Sequence, residues 1–335
     1  MKKTSVLLVL IMVIGLFAGC SGTPAADGGN TASDDQTYEL KISTQLAESH
    51  GYVQGFYKIA ERVEERTNGK FTIKVLPSGQ LGTDEDVIEQ ALQGVNVAVV
   101  TDAGRMANYA PEIGIMGMAY FADDYDQLLE ITKTDFFQEQ TDNLAKEGIR
   151  ILSFNFYDGA RHFLTKKPIT KPEDLTGVRI RTPGAPAWSE SVKSLGATPI
   201  AMSWSEVYTA MEQKAIDGAE SQNSSTYASR VYEVVDYINK TGHFQLINGI
   251  IVGEKWFTNI PVEYQEMLIE EFEKAGEEVA RETIANDQKF EDLMVEEGVE
   301  VIQPDVEAFK AASQAAYEVL DYSKLRQEIY EQIGK

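Results

Sequence analysis

Apolar residues along this chain recur with two different periods, and each change of period marks an element. Over 51–67, Val53, Phe56, Ile59, Ala60 and Val63 return at helical spacing, and Asn68-Gly69 supplies the stop. "YELKIST" ahead of that helix predicts a strand. "FTIKV" behind it puts Phe71, Ile73 and Val75 on one face, the period of two that a strand requires. Thr83 and Asp86 have the spacing of a capping box before a short helix whose inward side comprises Val87, Ile88, Ala91 and Leu92. "VNVAVV" is an unbroken apolar run, as expected of a parallel strand covered on both faces. The opening third therefore reads strand, helix, strand, helix, strand, the layering of an α/β fold.

A second series follows. "GIRILSFNFYDG" predicts another buried strand near residue 150, and "GVRIRTP" opens a further α/β run. Ser203 and Glu206 form a second candidate capping box, with Val207, Ala210, Met211 and Ala215 as the inward stripe behind it, and "DGAES" returns as a strand. Two long helices with apolar stripes are predicted near the end, over 262–289 and 306–333. The chain has no internal repeat and no sustained heptads, so both helices are expected to pack along the folded body.

The first residues are of another kind. Lys2 and Lys3 precede an apolar run over 6–17 that is too short for an ordinary membrane helix, so 1–19 read as an export signal. The run ends in "LFAGCSG", and Cys20 is the only cysteine among 335 residues, which excludes an internal disulfide. A cysteine behind small residues at the end of a signal resembles a bacterial lipobox. That resemblance implies a lipid on Cys20 and a tether to a membrane surface. Residues 21–37 hold no aliphatic side chain larger than alanine, so 20–37 are expected to be a flexible tether. The body that remains, about 300 residues, is long enough for two lobes. With 53 acidic against 30 basic residues the net charge is −23, which repels nucleic acid and acidic headgroups. Such a balance does not exclude a small anion, because a local basic pocket dominates the potential inside a cleft.

Motifs for chemistry are missing. His50, His162 and His243 are widely separated, with no zinc-type pair and no second cysteine, so no metal or other cofactor is expected. "GIMG" at 114–117 lacks the third glycine of a dinucleotide turn, "DDYD" at 123–126 lacks the glycine and glutamate of a calcium loop, and no serine sits in a nucleophile elbow. These absences argue against an enzyme, the rival being an exported α/β enzyme acting on a small carboxylate. His50 stands just before the first helix, where a side chain is able to face a cleft between lobes.

"GVRIRTPGAPAWSE" carries the strongest binding signal. Strand geometry sets Arg179 and Arg181 on one face and Ile180 on the other, and Pro183-Gly184 ends the strand, so Arg181 stands at its mouth. Ligands of open α/β sheets bind at the carboxyl ends of strands. A guanidinium grips a carboxylate through two parallel hydrogen bonds. Arg179, earlier on the strand, is expected at a solvated edge or in a salt bridge.

"LTGVRIRTPGAPAWSESVKSLGATPIAMSWSEVYTAMEQKAIDGAE", together with "LPSGQLG", "ANYAPE" and "VYEVVDYINKTGH", resembles the DctP-type solute-binding proteins of tripartite ATP-independent periplasmic (TRAP) transporters. The resemblance implies a two-lobed, periplasmic-binding-protein-like α/β fold, with an interlobe cleft and long C-terminal helices. It implies a first lobe over 38–158 and 247–286, and a second over 159–246 and 287–335. It also implies capture of a small organic acid outside the cytoplasm and its delivery to a membrane permease, by a monomer. Arg181 stands where the family grips the substrate carboxylate, and Arg161 in "YDGARHFLT" where a second arginine assists. Asp102 matches a polar pocket position and favours a ligand with hydroxyls or an amine. The family's "DGAENP" is here "DGAESQN", so Ser221 takes the asparagine position, and register alone leaves open whether Asn223 supplies the amide. Trp188, one turn beyond the strand mouth, is expected to serve either the cleft or the core. A hydroxylated or sugar-type acid is the favoured ligand, a C4-dicarboxylate the alternative.

Overall fold

The structure, a computed structural model, describes residues 36–335; the export signal, Cys20 and most of the 20–37 tether lie outside the described residues. Strands β1 (Tyr38–Ser43), β2 (Phe71–Leu76) and β3 (Val97–Asp102) alternate with helices α1 (Gly51–Arg66) and α2 (Asp84–Leu92). Short helices α3 (Ala103–Met106), α4 (Tyr125–Ile131) and α5 (Asp135–Lys146) lead to the long strand β4 (Ile149–Thr165). The second series is β5 (Arg179–Thr182), α6 (Pro186–Ser194), β6 (Thr198–Ala201), α7 (Val207–Glu212), β7 (Gly218–Ser221) and α8 (Asn223–Ala228). It ends in a second long strand, β8 (Tyr237–Gly253). Helices α9 (Glu254–Phe257), α10 (Val262–Glu296), α11 (Val306–Val319) and α12 (Ser323–Gln332), with strand β9 (Glu300–Ile302), complete the chain.

One sheet runs β2-β1-β3-β8-β4-β7-β5-β6, with β9 beside β8. Its two ends are built alike. Parallel β2, β1 and β3 meet β8 in antiparallel sense, and parallel β6, β5 and β7 meet β4 in antiparallel sense. β4 and β8 pair with each other along both halves, with register shifts between Ile151 and Ser153, Ser153 and Phe156, Tyr157 and Gly159, and Arg161 and Phe163. Such bulges bend and twist a strand pair.

Local signals account for the elements. The His50 ring caps α1 by accepting the Tyr52 N–H at 3.2 Å, and Asn68 and Gly69 turn the chain out through left-handed backbone at φ 50° and 78°. Thr83 and Asp86 form their capping box. At Ser203 only half of the expected box is made: Glu206 accepts the Ser203 N–H at 3.2 Å, while the Ser203 hydroxyl turns away to Gln45 at 2.9 Å. The stripe behind it is shorter than its pattern suggested, because α7 stops at Glu212 and leaves Ala215 exposed.

Helix α10 runs to Glu296, past the expected end at 289. At 35 residues it is about 50 Å long and packs against both halves of the sheet. Met267, Leu268 and Phe272 join Leu40, Phe56, Phe71 and Phe156 in one core, whereas Met294 joins Leu164, Val207 and Met211 in another. Each fully buried side chain of this size contributes roughly 1.5–3 kcal/mol. The helix expected over 306–333 is two helices. Asp321 at φ 57° breaks it, and the Tyr322 hydroxyl anchors the break on the Pro111 carbonyl at 2.5 Å.

Candidate functional site

Strands from both halves end at one cleft lined by residues of each. Thr44 and Gln45 enter it after β1, Asp102 at the end of β3, Pro183 after β5, and Ser221 and Gln222 at the end of β7. All four are carboxyl ends, and β1 and β3 run parallel, as do β5 and β7.

Arg181 is 2% exposed. Its Nε donates to the Met202 carbonyl at 2.9 Å, its guanidinium lies over the Trp204 ring at 5.4 Å, and among the described residues it has no ion-pair partner. Burial pushes it down to about 9; Glu220 opposes the shift, and Arg161 and Arg105 reinforce it. The two terminal nitrogens therefore carry a buried charge with no acceptor of their own. Arg161 is different. Its Nε pairs with the Glu220 carboxylate, one terminal nitrogen donates to the Glu220 carbonyl at 2.7 Å, and the guanidinium rests over Trp188 at 5.1 Å. Glu220 is fully buried and also accepts the Thr182 hydroxyl at 3.0 Å; burial raises its carboxyl above the ordinary value against the pull of Arg161 and Arg181.

The facing wall belongs to Arg105. Asp102, Glu85 at 2.8 Å and Asp84 at 3.3 Å surround its guanidinium. Burial by itself would lower this arginine, but the three carboxylates outweigh it and hold the group above its usual value. Asp84 is pushed up to about 6 by burial, with Arg105 pulling the other way.

Asp102, expected as a ligand-reading carboxylate, lines the cleft but is heavily engaged. It caps α3 by accepting the Arg105 N–H at 3.1 Å, and it accepts the Trp188 indole N–H at 2.7 Å. Trp188 is 1% exposed, packs edge-on against Phe244, and does not line the cleft. Its indole reaches Asp102 because position 104 is glycine: a Cβ there would lie 2.3 Å from the indole nitrogen. His50 also stands behind the cleft wall. With Nδ1 engaged by Tyr52, its Nε2 proton points to Asp158 Oδ1 and Ser225 Oγ, both at 3.1 Å. Ser225 and Ser224 both donate to Asp158 as well, at 2.7 and 2.8 Å. Burial would raise the Asp158 carboxyl, but His50 and the two hydroxyls hold it below the ordinary range. Serine, histidine and aspartate thus meet without forming a nucleophile relay, since neither ring nitrogen is free to take the serine proton.

Ser221 lines the cleft. Asn223 does not; its amide donates to Asp287 on α10 at 3.2 Å. The residue between them, Gln222, lines the cleft with its Nε2 buried and unpartnered, as is the Thr101 hydroxyl. Sequence reasoning also missed Arg105, Glu220 and Gln45. An aspartate three residues before an arginine at a strand end was the available signal for the first, and "DGAE" contained the second. Gln45 had none: its side-chain oxygen accepts the Ser203 and Ser205 hydroxyls at 2.9 and 3.0 Å, joining the two sides of the cleft mouth.

A two-lobed α/β body whose parallel strands converge on a polar cleft defines a solute-binding protein. The family described as bacterial extracellular solute-binding protein, family 7 (DctP), matches residues 42–324, and the chain belongs to it. It is therefore a TRAP-type binding protein acting outside the cytoplasm, not an enzyme. A TRAP periplasmic solute-binding protein from Ochrobacterium anthropi with bound L-fuconate is 31% identical, with 88% of this chain and 99% of that one covered at a TM-score of 0.86. An apo open structure from Escherichia fergusonii is 34% identical, covers 88% and 100%, and gives 0.77. The sialic acid-binding periplasmic protein SiaP of Vibrio cholerae is 27% identical over 87% of this chain and 90% of its own length.

Proposed function

We propose that the protein captures a small hydroxylated monocarboxylate, holds its carboxylate on Arg181, and hands it to a TRAP membrane permease. One observation carries this reading: among the described residues Arg181 is a buried cation without an ion-pair partner, in a cleft whose other two arginines, Arg105 and Arg161, have one. A bound carboxylate supplies that counter-ion. Arg161 assists by holding Glu220 off Arg181. A C4-dicarboxylate is the weaker reading, because its second carboxylate would meet Arg105, which three carboxylates already surround. The rest of the lining, with Gln45, Thr101, Gln222 and Asn248, suits hydroxyls.

The lobes are assigned to 38–158 with 247–286 and to 159–246 with 287–335, hinged at the bulged stretch of β4 and β8. In support, the chain matches the ligand-bound Ochrobacterium structure more closely than the open one despite lower identity to it. Closure on a ligand predicts a smaller radius of gyration with bound acid, read by scattering. The receptor is a monomer held at the outer face of a membrane by lipid on Cys20. Processed Cys20→Ser protein remaining in the membrane fraction would refute that anchor.

The central test is calorimetry with L-fuconate, D-glucuronate and succinate on proteins with matched melting curves. Arg181→Ala is expected to weaken the bound acid by about 2–5 kcal/mol, and Arg181→Lys to restore little, since a point charge lacks the fork. Unchanged affinity in Arg181→Ala sinks the clamp.

A further inference from the structure

Where the resemblance expects Asn-Pro after "DGAE", this chain carries Ser221 at the asparagine position and Gln222 at the proline position, and the two side chains are joined. Ser221 ends β7 and Gln222 is the residue before α8, so backbone on both sides fixes their positions. The Ser221 hydroxyl donates to Gln222 Oε1 at 3.3 Å. That bond engages the carboxamide oxygen and leaves Nε2 without a partner among the described residues. Nε2 is buried and has no hydrogen-bond partner, in a residue 2% exposed that lines the cleft. A buried donor left unpaired costs free energy, and an acceptor on a ligand in the cleft would remove that cost. Gly159, in left-handed backbone at φ +106° in the bulged part of β4, lies beside Gln222.

Neither neighbour takes this role. Asn223, the nearest other amide, donates to Asp287, and the Ser221 hydroxyl is committed to Gln222. On the far side of the cleft the Thr101 hydroxyl is likewise buried and unpartnered. Two neutral hydrogen-bonding groups, one on each wall, match a ligand whose body bears oxygens without charge.

We infer that Gln222 is the specificity-determining residue of this receptor, donating through Nε2 to a hydroxyl or ring oxygen of the bound acid, and that Ser221 is its positioning residue. The inference rests on the reading of the cleft as an organic-acid site. Affinity for L-fuconate, D-glucuronate and L-galactonate is measured by calorimetry, and the variants are then tested with whichever of the three the wild-type protein binds most tightly. Gln222→Leu, which keeps bulk and loses the amide, is expected to weaken binding about 5- to 100-fold. Gln222→Glu, which faces the same oxygen with an acceptor, should weaken it further. Ser221→Ala should cost about 3- to 10-fold, and Ser221→Thr, which restores the hydroxyl, should recover the loss. Melting curves without acid should stay at the wild-type position throughout. Wild-type affinity in Gln222→Leu, or no recovery in Ser221→Thr, overturns the assignment while leaving the Arg181 clamp standing. Binding of none of the three acids by the wild-type protein overturns both together.

Discussion

Arg105 and Arg181 face the same cleft from opposite walls, are both buried, and stand in opposite electrostatic states. Asp84, Glu85 and Asp102 surround Arg105, and their combined charge holds its guanidinium above the normal value. Arg181 has a carbonyl, a tryptophan face and no carboxylate of its own, and burial pushes it down to about 9. The difference teaches that what a buried arginine does is decided by its counter-ions. On one wall the guanidinium is neutralised by carboxylates of the protein; on the other, among the described residues, it has no ion-pair partner.

The largest effect expected from this contrast is on stability. Arg105→Ala strands three carboxylates, one of them capping α3, and breaking a buried pair in this way costs about 3–5 kcal/mol. Arg181→Met removes a buried charge that has no ion-pair partner among the described residues, so in the absence of ligand it should melt at or above the wild-type temperature while losing the acid. Chemical denaturation of both variants reads the comparison directly. Equal destabilisation by the two would break it.

A smaller effect concerns pH. Asp84, raised to about 6 by burial, takes up a proton in the folded protein below that pH, whereas in an unfolded chain it does so only near the ordinary aspartate value of about 3.9. The folded state thus binds the extra proton between these values. The resulting stabilisation is fully present below the lower value and is lost as pH rises through about 6. Carboxylate binding should follow the same direction, because neutral Asp84 no longer opposes an anion at Arg181. Affinity for the tightest of the three acids should rise up to about tenfold, about 1.4 kcal/mol, between pH 7 and pH 5. Asp84→Asn should flatten that slope; a slope that survives the substitution would assign it elsewhere.

The smallest effect is expected one strand step from Arg181. Arg179 pairs with Asp217 at 2.8 Å in a half-exposed bridge. Such bridges are worth about 0–1 kcal/mol, so Arg179→Ala should leave affinity unchanged and melting nearly so. A loss of binding comparable to that of Arg181→Ala would show that proximity rather than pairing matters.

The elements were legible because their signals are local. Thr83 and Asp86 cap α2, Asn68-Gly69 ends α1, and the apolar run before Asp102 is a strand covered on both faces. Where expectation and structure part, a distant partner intervenes. The Ser203 hydroxyl leaves its capping box for Gln45, 158 residues away. Tyr322 anchors the break between α11 and α12 on Pro111, 211 residues away. Asn223 turns to Asp287 and leaves Gln222, which the departure from the family motif marked without assigning it a role, with an amide unpartnered among the described residues.

By itself the sequence determined the order of strands and helices, the family, and the place of Arg181 at a strand mouth, since periodicity, caps and turns act over a few residues. Only the tertiary structure decided which charges meet. Glu220 pairs with Arg161 across 59 residues and Trp188 with Asp102 across 86. Coulomb and hydrogen-bond energies depend on distance in space, and in a dry cleft they are strong enough to separate two arginines that look alike on the page.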